Sequence, residues 1–127
     1  MTRRALVVDD SRAMRSILTA IVEGLGYAVE QAGDGRDGLA RVEGQSRFEL
    51  ALVDWNMPEM NGLEFVVAAR VRPELDDMRI VMVTTETEAD RVVEALDAGA
   101  DEYIMKPFDR DMLLAKLAMV GIEPPGV

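Results

Sequence analysis

Three carboxylates close two short apolar runs. Asp9 and Asp10 follow Ala5-Leu6-Val7-Val8, and Asp54 follows Leu50-Ala51-Leu52-Val53. Runs of this kind read as buried β-strands. Acids that end such strands collect at the C-terminal edge of a parallel sheet, where open α/β folds bind ligands. Two carboxylates ~4 Å apart repel by about 4 kcal/mol at an effective dielectric near 20. A hard divalent cation offsets that repulsion. Mg²⁺ suits the task, because it takes few protein carboxylates and leaves positions for water and phosphate.

Thr84 ends a fourth strand and Lys106 follows a fifth, so parallel strands would bring both to the same edge. Carboxylate, hydroxyl and ammonium around a cation make up a phosphoryl-transfer set. The carboxylate is the nucleophile. The cation and the ammonium offset charge on the phosphoryl oxygens, and the hydroxyl donates to one of them.

Each residue also has a plainer reading. Asp9 and Asp10 could cap the following helix, and Asp54 before Pro58 could open a turn. Thr84 in Thr84-Thr85-Glu86-Thr87 could start a helix, and Lys106 before Pro107 could be solvated. Taken together these readings weaken, because five independent accidents would have to fall on one edge. Lysine is also scarce here, with two residues against twelve arginines. A lysine at the edge suggests a compact point charge rather than a planar fork. Met57, Met60, Met78, Met82, Met105 and Met112 read as core filler. Asp34-Gly35 and Asp37-Gly38 lack the spacing and the bidentate Glu of a calcium loop.

The elements that must position these groups alternate. Strands are expected at about Ala5–Asp9, Tyr27–Ala32, Phe48–Asp54, Arg79–Thr84 and Glu102–Met105. The first, third and fourth are apolar enough to be central, and the second suits an edge. Between and after them the spacing predicts five helices. The first places Met14, Ile17, Leu18, Ile21, Val22 and Leu25 inward, with Ser11 as N-cap and Gly26 as stop. The others are expected at about Gly35–Glu43 (Leu39 and Val42 inward), Gly62–Val71 (Leu63, Val66 and Val67), Glu88–Ala98 (Ala89, Val92, Val93 and Leu96) and Arg110–Val120 (Met112, Leu113, Leu117 and Val120). The alternation implies an α/β fold with a parallel sheet and right-handed crossovers.

Bulk properties narrow the function. A chain of 127 residues with 49% hydrophobic content is expected to form one domain, 1–127, with its core at about 4–120 and a tail at 121–127. The net charge of −10 argues against a nucleic-acid partner bound through a basic face. No run has the ~18 apolar residues of a membrane span, and the basic start Met1-Thr2-Arg3-Arg4 leads into too short an apolar stretch for a signal peptide. A cytoplasmic location is the expectation. Without Cys there are no disulfides or thiolate sites. Without His there are no His-based triads or usual zinc sites, and any phosphohistidine must belong to a partner.

The residues match a known family in order. Val7-Val8-Asp9-Asp10-Ser11, Asp54-Trp55-Asn56-Met57-Pro58, Gly62-Leu63-Glu64, Met82-Val83-Thr84, Ala98-Gly99-Ala100 and Lys106-Pro107-Phe108 resemble the response-regulator receiver domain, in its single-domain chemotaxis form. The resemblance spans about Arg4 to Val120. It implies a flavodoxin-like (βα)5 doubly wound sheet of five parallel strands in the order 2-1-3-4-5. It implies Asp54 as phosphoacceptor. Mg²⁺ would be held by Asp10, Asp54 and the Asn56 backbone carbonyl, with Asp9 acting through water. It further implies that Lys106 contacts the phosphoryl group before a cis Pro107, that Thr84 and Tyr103 form the switch, and that Asn56 and Glu86 tune dephosphorylation. Departures from enteric chemotaxis members are a loop shorter by one residue before the second strand, Ser11-Arg12-Ala13 after the acid pair, and Thr85 beside the switch Thr.

The implied protein is a monomeric stand-alone response regulator that accepts a phosphoryl group from a sensor histidine kinase and binds an output partner. A flagellar motor switch protein and an external phosphatase are the implied further partners. Catalysis would be confined to its own phosphorylation and dephosphorylation, so it is not a conventional enzyme. One alternative with an identical site is a phosphorelay shuttle that passes the group to another protein's His; another is a receiver with a non-motile output. An Asp-based phosphohydrolase fits less well, because its second Asp would stand where Asn56 is. A flavin carrier fits less well too, because Asp9 and Asp10 would repel the flavin phosphate.

Overall fold

The computed structural model describes residues 3–43, 48–85 and 90–123. The strands are β1 (Arg3–Val8), β2 (Tyr27–Ala32), β3 (Phe48–Asp54), β4 (Arg79–Thr84) and β5 (Glu102–Met105). The helices are α1 (Arg12–Glu23), α2 (Gly35–Val42), α3 (Gly62–Arg70), α4 (Val92–Ala98) and α5 (Arg110–Met119). The strands form one parallel sheet in the order β2-β1-β3-β4-β5. This is the flavodoxin-like doubly wound arrangement, with β2 at one edge as its polar sequence suggested. Among the described residues no helix is long and apolar enough to cross a membrane.

Period-two alternation sorts each strand between two cores. Leu6, Val8, Ala51, Val53, Ile80 and Met82 pack with Val42 of α2, Phe65 and Val66 of α3 and Ala95 of α4. Ala5, Val7, Leu50, Leu52, Val81 and Val83 pack with Leu18 and Val22 of α1 and Leu113 and Leu117 of α5. The residues in β1, β3 and β4 that carry these contacts are fully buried. Each such Leu, Ile or Val contributes about 1.5–3 kcal/mol by leaving water. The central strands are therefore stiff, and so are the positions of the acids that follow them.

Some expectations need correction. β1 begins at Arg3 rather than Ala5, because Arg3 and Arg4 pair with Tyr27 and Ala28 while their guanidinium groups lie over the Tyr27 and Phe48 rings. Ile17, Val67, Val93, Leu96 and Met112, expected inward, are exposed. Met112 is therefore not core filler. Phe65 faces the core in place of Val67. α3 and α5 carry apolar residues around most of their circumference, so periodicity alone does not choose the buried face there. Glu88 and Ala89, expected to begin the fourth helix, lie outside the described residues.

Arg70 ties the opposite end of the sheet together. Its guanidinium donates to the carbonyls of Gly99, Leu75 and Met78 and to the Asp101 carboxylate. The same Asp101 oxygen accepts from the Ile80 N–H at 2.8 Å. One side chain thus joins the connection between α3 and β4 to the turn between α4 and β5, and a buried carbonyl left without a donor costs about 1–3 kcal/mol.

Candidate functional site

The strand ends deliver the chemistry, and helix caps hold the loops between. Ser11 caps α1 by accepting from the Met14 N–H. Asn61 and Glu64 form a reciprocal capping box on α3, at 2.8 and 3.0 Å. Asp109 caps α5 by accepting from the Met112 N–H. Each cap satisfies a helix N–H that has no partner within its own helix. As a result the loops after β1, β3 and β5 each end in a fixed residue.

At that edge the carboxylate oxygens of Asp9, Asp10 and Asp54 lie within 4.8 Å of one another. Asp9 is fully buried, Asp54 is 5% exposed, and Asp10 faces solvent. The Lys106 ammonium sits 3.4 Å from Asp9 Oδ2 and 3.4 Å from Asp54 Oδ1. A tight charge-assisted hydrogen bond is about 2.7–2.9 Å, so the ammonium spans both acids loosely. Three carboxylates against one ammonium leave two net negative charges. An all-oxygen donor set with that charge fits a hard divalent cation such as Mg²⁺.

The electrostatics agree. Burial and the neighbouring Asp9 push the Asp54 carboxyl up to about 6, against the pull of Lys106. Burial pulls the Lys106 ammonium down, but Asp54 and Asp9 together outweigh it and raise its pKa. Asp54 is thus mostly ionised at neutral pH yet under strain from its own kind.

Thr84 ends β4 fully buried, and its Oγ1 has no hydrogen-bond partner among the described residues. Its carbonyl accepts from the Lys106 N–H at 2.6 Å, joining the β4 and β5 ends. The Lys106–Pro107 bond is cis, as expected. Asn56 lies exposed in the loop two residues past Asp54. Tyr103 is half-buried on β5, and the Lys116 ammonium sits 4.4 Å from its ring centroid. Glu86 lies outside the described residues.

Sequence reasoning passed over two residues here. Arg15 donates to the Asp9 carbonyl at 2.7 Å, yet an arginine on a helix reads as a solvated charge. Glu59 adopts φ 69, the left-handed region that L-residues enter at a cost of about 1–2 kcal/mol. Nothing in its type announces that. Replacing Glu59 by Gly should stabilise the protein by about 0.5–1 kcal/mol, read as a higher urea midpoint. A lower midpoint would mean that the Glu side chain compensates for its backbone.

Comparison with known proteins gives a consistent result. The sequence profile described as "Response regulator receiver domain" matches residues 5–118. The chain is 39% identical over 118 residues to chemotaxis protein CheY1 of Helicobacter pylori strain J99, covering 92% of this chain and 95% of that protein. It is 42% identical over 115 residues to the chemotaxis protein CheY homolog of Campylobacter jejuni, covering 90% and 88%. Among solved structures, the chemotaxis response regulator CheY4 of Vibrio cholerae superposes with a TM-score of 0.85 at 38% identity, covering 94% of this chain and 99% of that one.

Proposed function

We propose, from the premise that the chain belongs to the response regulator receiver domain family, that it is a stand-alone phosphorylation switch. In this reading Asp54 takes a phosphoryl group from the phosphohistidine of a sensor histidine kinase. The observation that carries it is the buried Asp54 carboxylate, bordered by two further acids and one lysine where β3 ends.

A carboxylate oxygen of Asp54 forms the new bond to phosphorus, and the bond from phosphorus to the partner's imidazole nitrogen breaks. The freed imidazole takes its proton from solvent. Asp54 is suited to the attack because it stays largely ionised above about pH 6 while burial keeps most water away. Lys106 already bridges Asp54 and Asp9, so its ammonium needs little movement to meet the incoming phosphoryl oxygens. Bound Mg²⁺, held by Asp10, Asp54 and the Asn56 carbonyl, with Asp9 through water, would supply charge neutralisation between carboxylates and phosphoryl oxygens. The unsatisfied Thr84 hydroxyl gains an acceptor on phosphorylation. Its movement toward the phosphoryl group leaves room for Tyr103 to turn inward, which changes the surface offered to a partner. Asn56 and Glu86 are the positions that would set how fast water removes the group, with an external phosphatase as a further partner.

The similarity to chemotaxis proteins supports a flagellar motor switch protein as that partner. Acetyl phosphate with Mg²⁺ should give a hydroxylamine-labile acyl phosphate, and beryllofluoride should change Trp55 fluorescence and tighten binding of a motor-switch peptide from the same organism. No acyl phosphate and no fluorescence response would remove the reading. Labelling without tighter peptide binding would leave the receiver chemistry and favour a relay or another output. Thr84→Ala should label at close to the wild-type rate and lose most of the gain in peptide affinity. A full gain in that variant would remove Thr84 from the switch.

A further inference from the structure

The geometry points to Arg15 as a positioning residue for the acid pair. It acts through the main chain of Asp9 and sustains divalent-cation affinity without touching the cation. This rests on the reading of Asp9, Asp10 and Asp54 as a Mg²⁺-assisted phosphoacceptor site.

The main chain of β1 leaves its ladder at Val8, the last residue in register with both Ala32 of β2 and Val53 of β3. The Asp9 N–H still reaches back to the Ala32 carbonyl at 3.1 Å. The Asp9 carbonyl lies just beyond the ladder, and the Arg15 guanidinium meets it, with Nη1 donating at 2.7 Å. The Asp9 carboxylate is held at both oxygens, Oδ1 by the Ser11 N–H at 2.8 Å and Oδ2 by Lys106 at 3.4 Å. Every polar group of this fully buried residue therefore has a partner, the Lys106 ammonium being the loosest. The peptide that joins Asp9 to exposed Asp10 is the one whose carbonyl Arg15 holds.

Arg15 is itself well placed to be rigid. It lies in the first turn of α1, where its N–H donates to the Ser11 carbonyl at 2.9 Å. Its guanidinium lies near Gly33, in the turn after β2, where a Cβ would stand at ordinary van der Waals distance, 3.6 Å, from Nη1. The side chain thus ties the loop after β1 to α1. Fixing the Asp9–Asp10 peptide fixes the direction in which Asp10 presents its carboxylate. Removing a group that orients a metal ligand without binding the metal typically costs about 10–100-fold in affinity.

The sign of the effect separates positioning from charge. A cation behind an acidic cluster repels Mg²⁺, so losing the Arg15 charge alone would tighten binding. Losing its hold on the Asp9–Asp10 peptide would weaken binding.

The test is Mg²⁺ titration of the full chain at constant ionic strength, read by Trp55 fluorescence. Trp55 is the sole tryptophan and follows Asp54 directly. Arg15→Met should bind Mg²⁺ roughly tenfold more weakly, with a circular dichroism spectrum like that of the wild type. Arg15→Gln keeps a polar head without the reach and carries the same expectation, so it decides the matter if Arg15→Met does not fold. Arg15→Lys, which can still donate to the carbonyl, should recover most of the loss. Equal or tighter Mg²⁺ binding in the neutral variants would overturn the assignment. Failure of the wild-type chain to bind Mg²⁺ would overturn the reading of the acidic cluster itself.

Discussion

An Asp54→Asn variant will take no label from acetyl phosphate and will be more stable than the wild type at neutral pH. The first half follows from the nucleophile, since an amide has no oxygen basic enough to displace the donor. The second follows from the site's own repulsion. Asp54 is pushed up from 3.8 to about 6, so the folded protein holds the proton more tightly than the unfolded chain does. Its contribution to stability is fully present below about pH 3.8 and is lost as the pH rises through about 6. That loss is on the order of 2–3 kcal/mol at neutral pH in the absence of divalent cations. A neutral amide at this position carries no such penalty. Urea unfolding without Mg²⁺ should therefore show the variant ahead at pH 7.5 and the gap closing toward pH 4. Added Mg²⁺ should narrow the gap at pH 7.5 by raising the wild type. Retained labelling would remove Asp54 from its role, and a gap indifferent to pH would remove the electrostatic account.

Gly62→Ala should cost about 3 kcal/mol or more and slow labelling with it. A Cβ on Gly62 would stand 2.8 Å from the Asp54 carbonyl oxygen, 3.0 Å from the Trp55 Cα and 2.5 Å from the Met82 Cε. A methionine tip can swing away, but the two main-chain atoms belong to the strand end that carries the nucleophile. Overpacking of this kind typically costs about 1–3 kcal/mol, and more where backbone must shift. The Gly62 N–H also donates to the Trp55 carbonyl at 2.8 Å, so the two segments cannot separate without losing that bond. Gly121→Ala is the control. Its φ of +88 imposes the left-handed penalty of about 1 kcal/mol, but nothing lies within 4 Å. Urea midpoints of the two variants that fall together would show that close approach at Gly62 is relaxed by small movements.

Four of the five strands have the bounds that the sequence suggests, and the reason is physical. β3 and β4 are apolar along nearly their whole length because helices cover both faces, so their ends coincide with changes in composition. The acids that close β1 and β3 were readable because no apolar strand carries a carboxylate by default. Helix faces were less readable. α3 offers Leu63, Phe65, Val66 and Val67 in succession, and the choice among them depends on how the helix lies on the sheet. Arg15 and Arg70 were not readable as anchors at all. Their acceptors are mostly main-chain carbonyls, and any residue type supplies a carbonyl.

The strand order also governs how the chain must assemble. β1 is flanked by β2 and β3, with Val8 opposite Val53. The apolar ribbon Ala5–Val8 therefore has one open edge until the chain has been made as far as Asp54. During synthesis from the N-terminus, β1 paired with β2 is a two-stranded ribbon with exposed hydrogen-bonding groups, the kind of edge that recruits other chains. Pairing over such sequence separations has a high contact order and folds slowly compared with local helical contacts. The central position of β1 that makes Asp9 rigid in the finished molecule is thus what leaves the nascent chain most exposed to aggregation before β3 arrives.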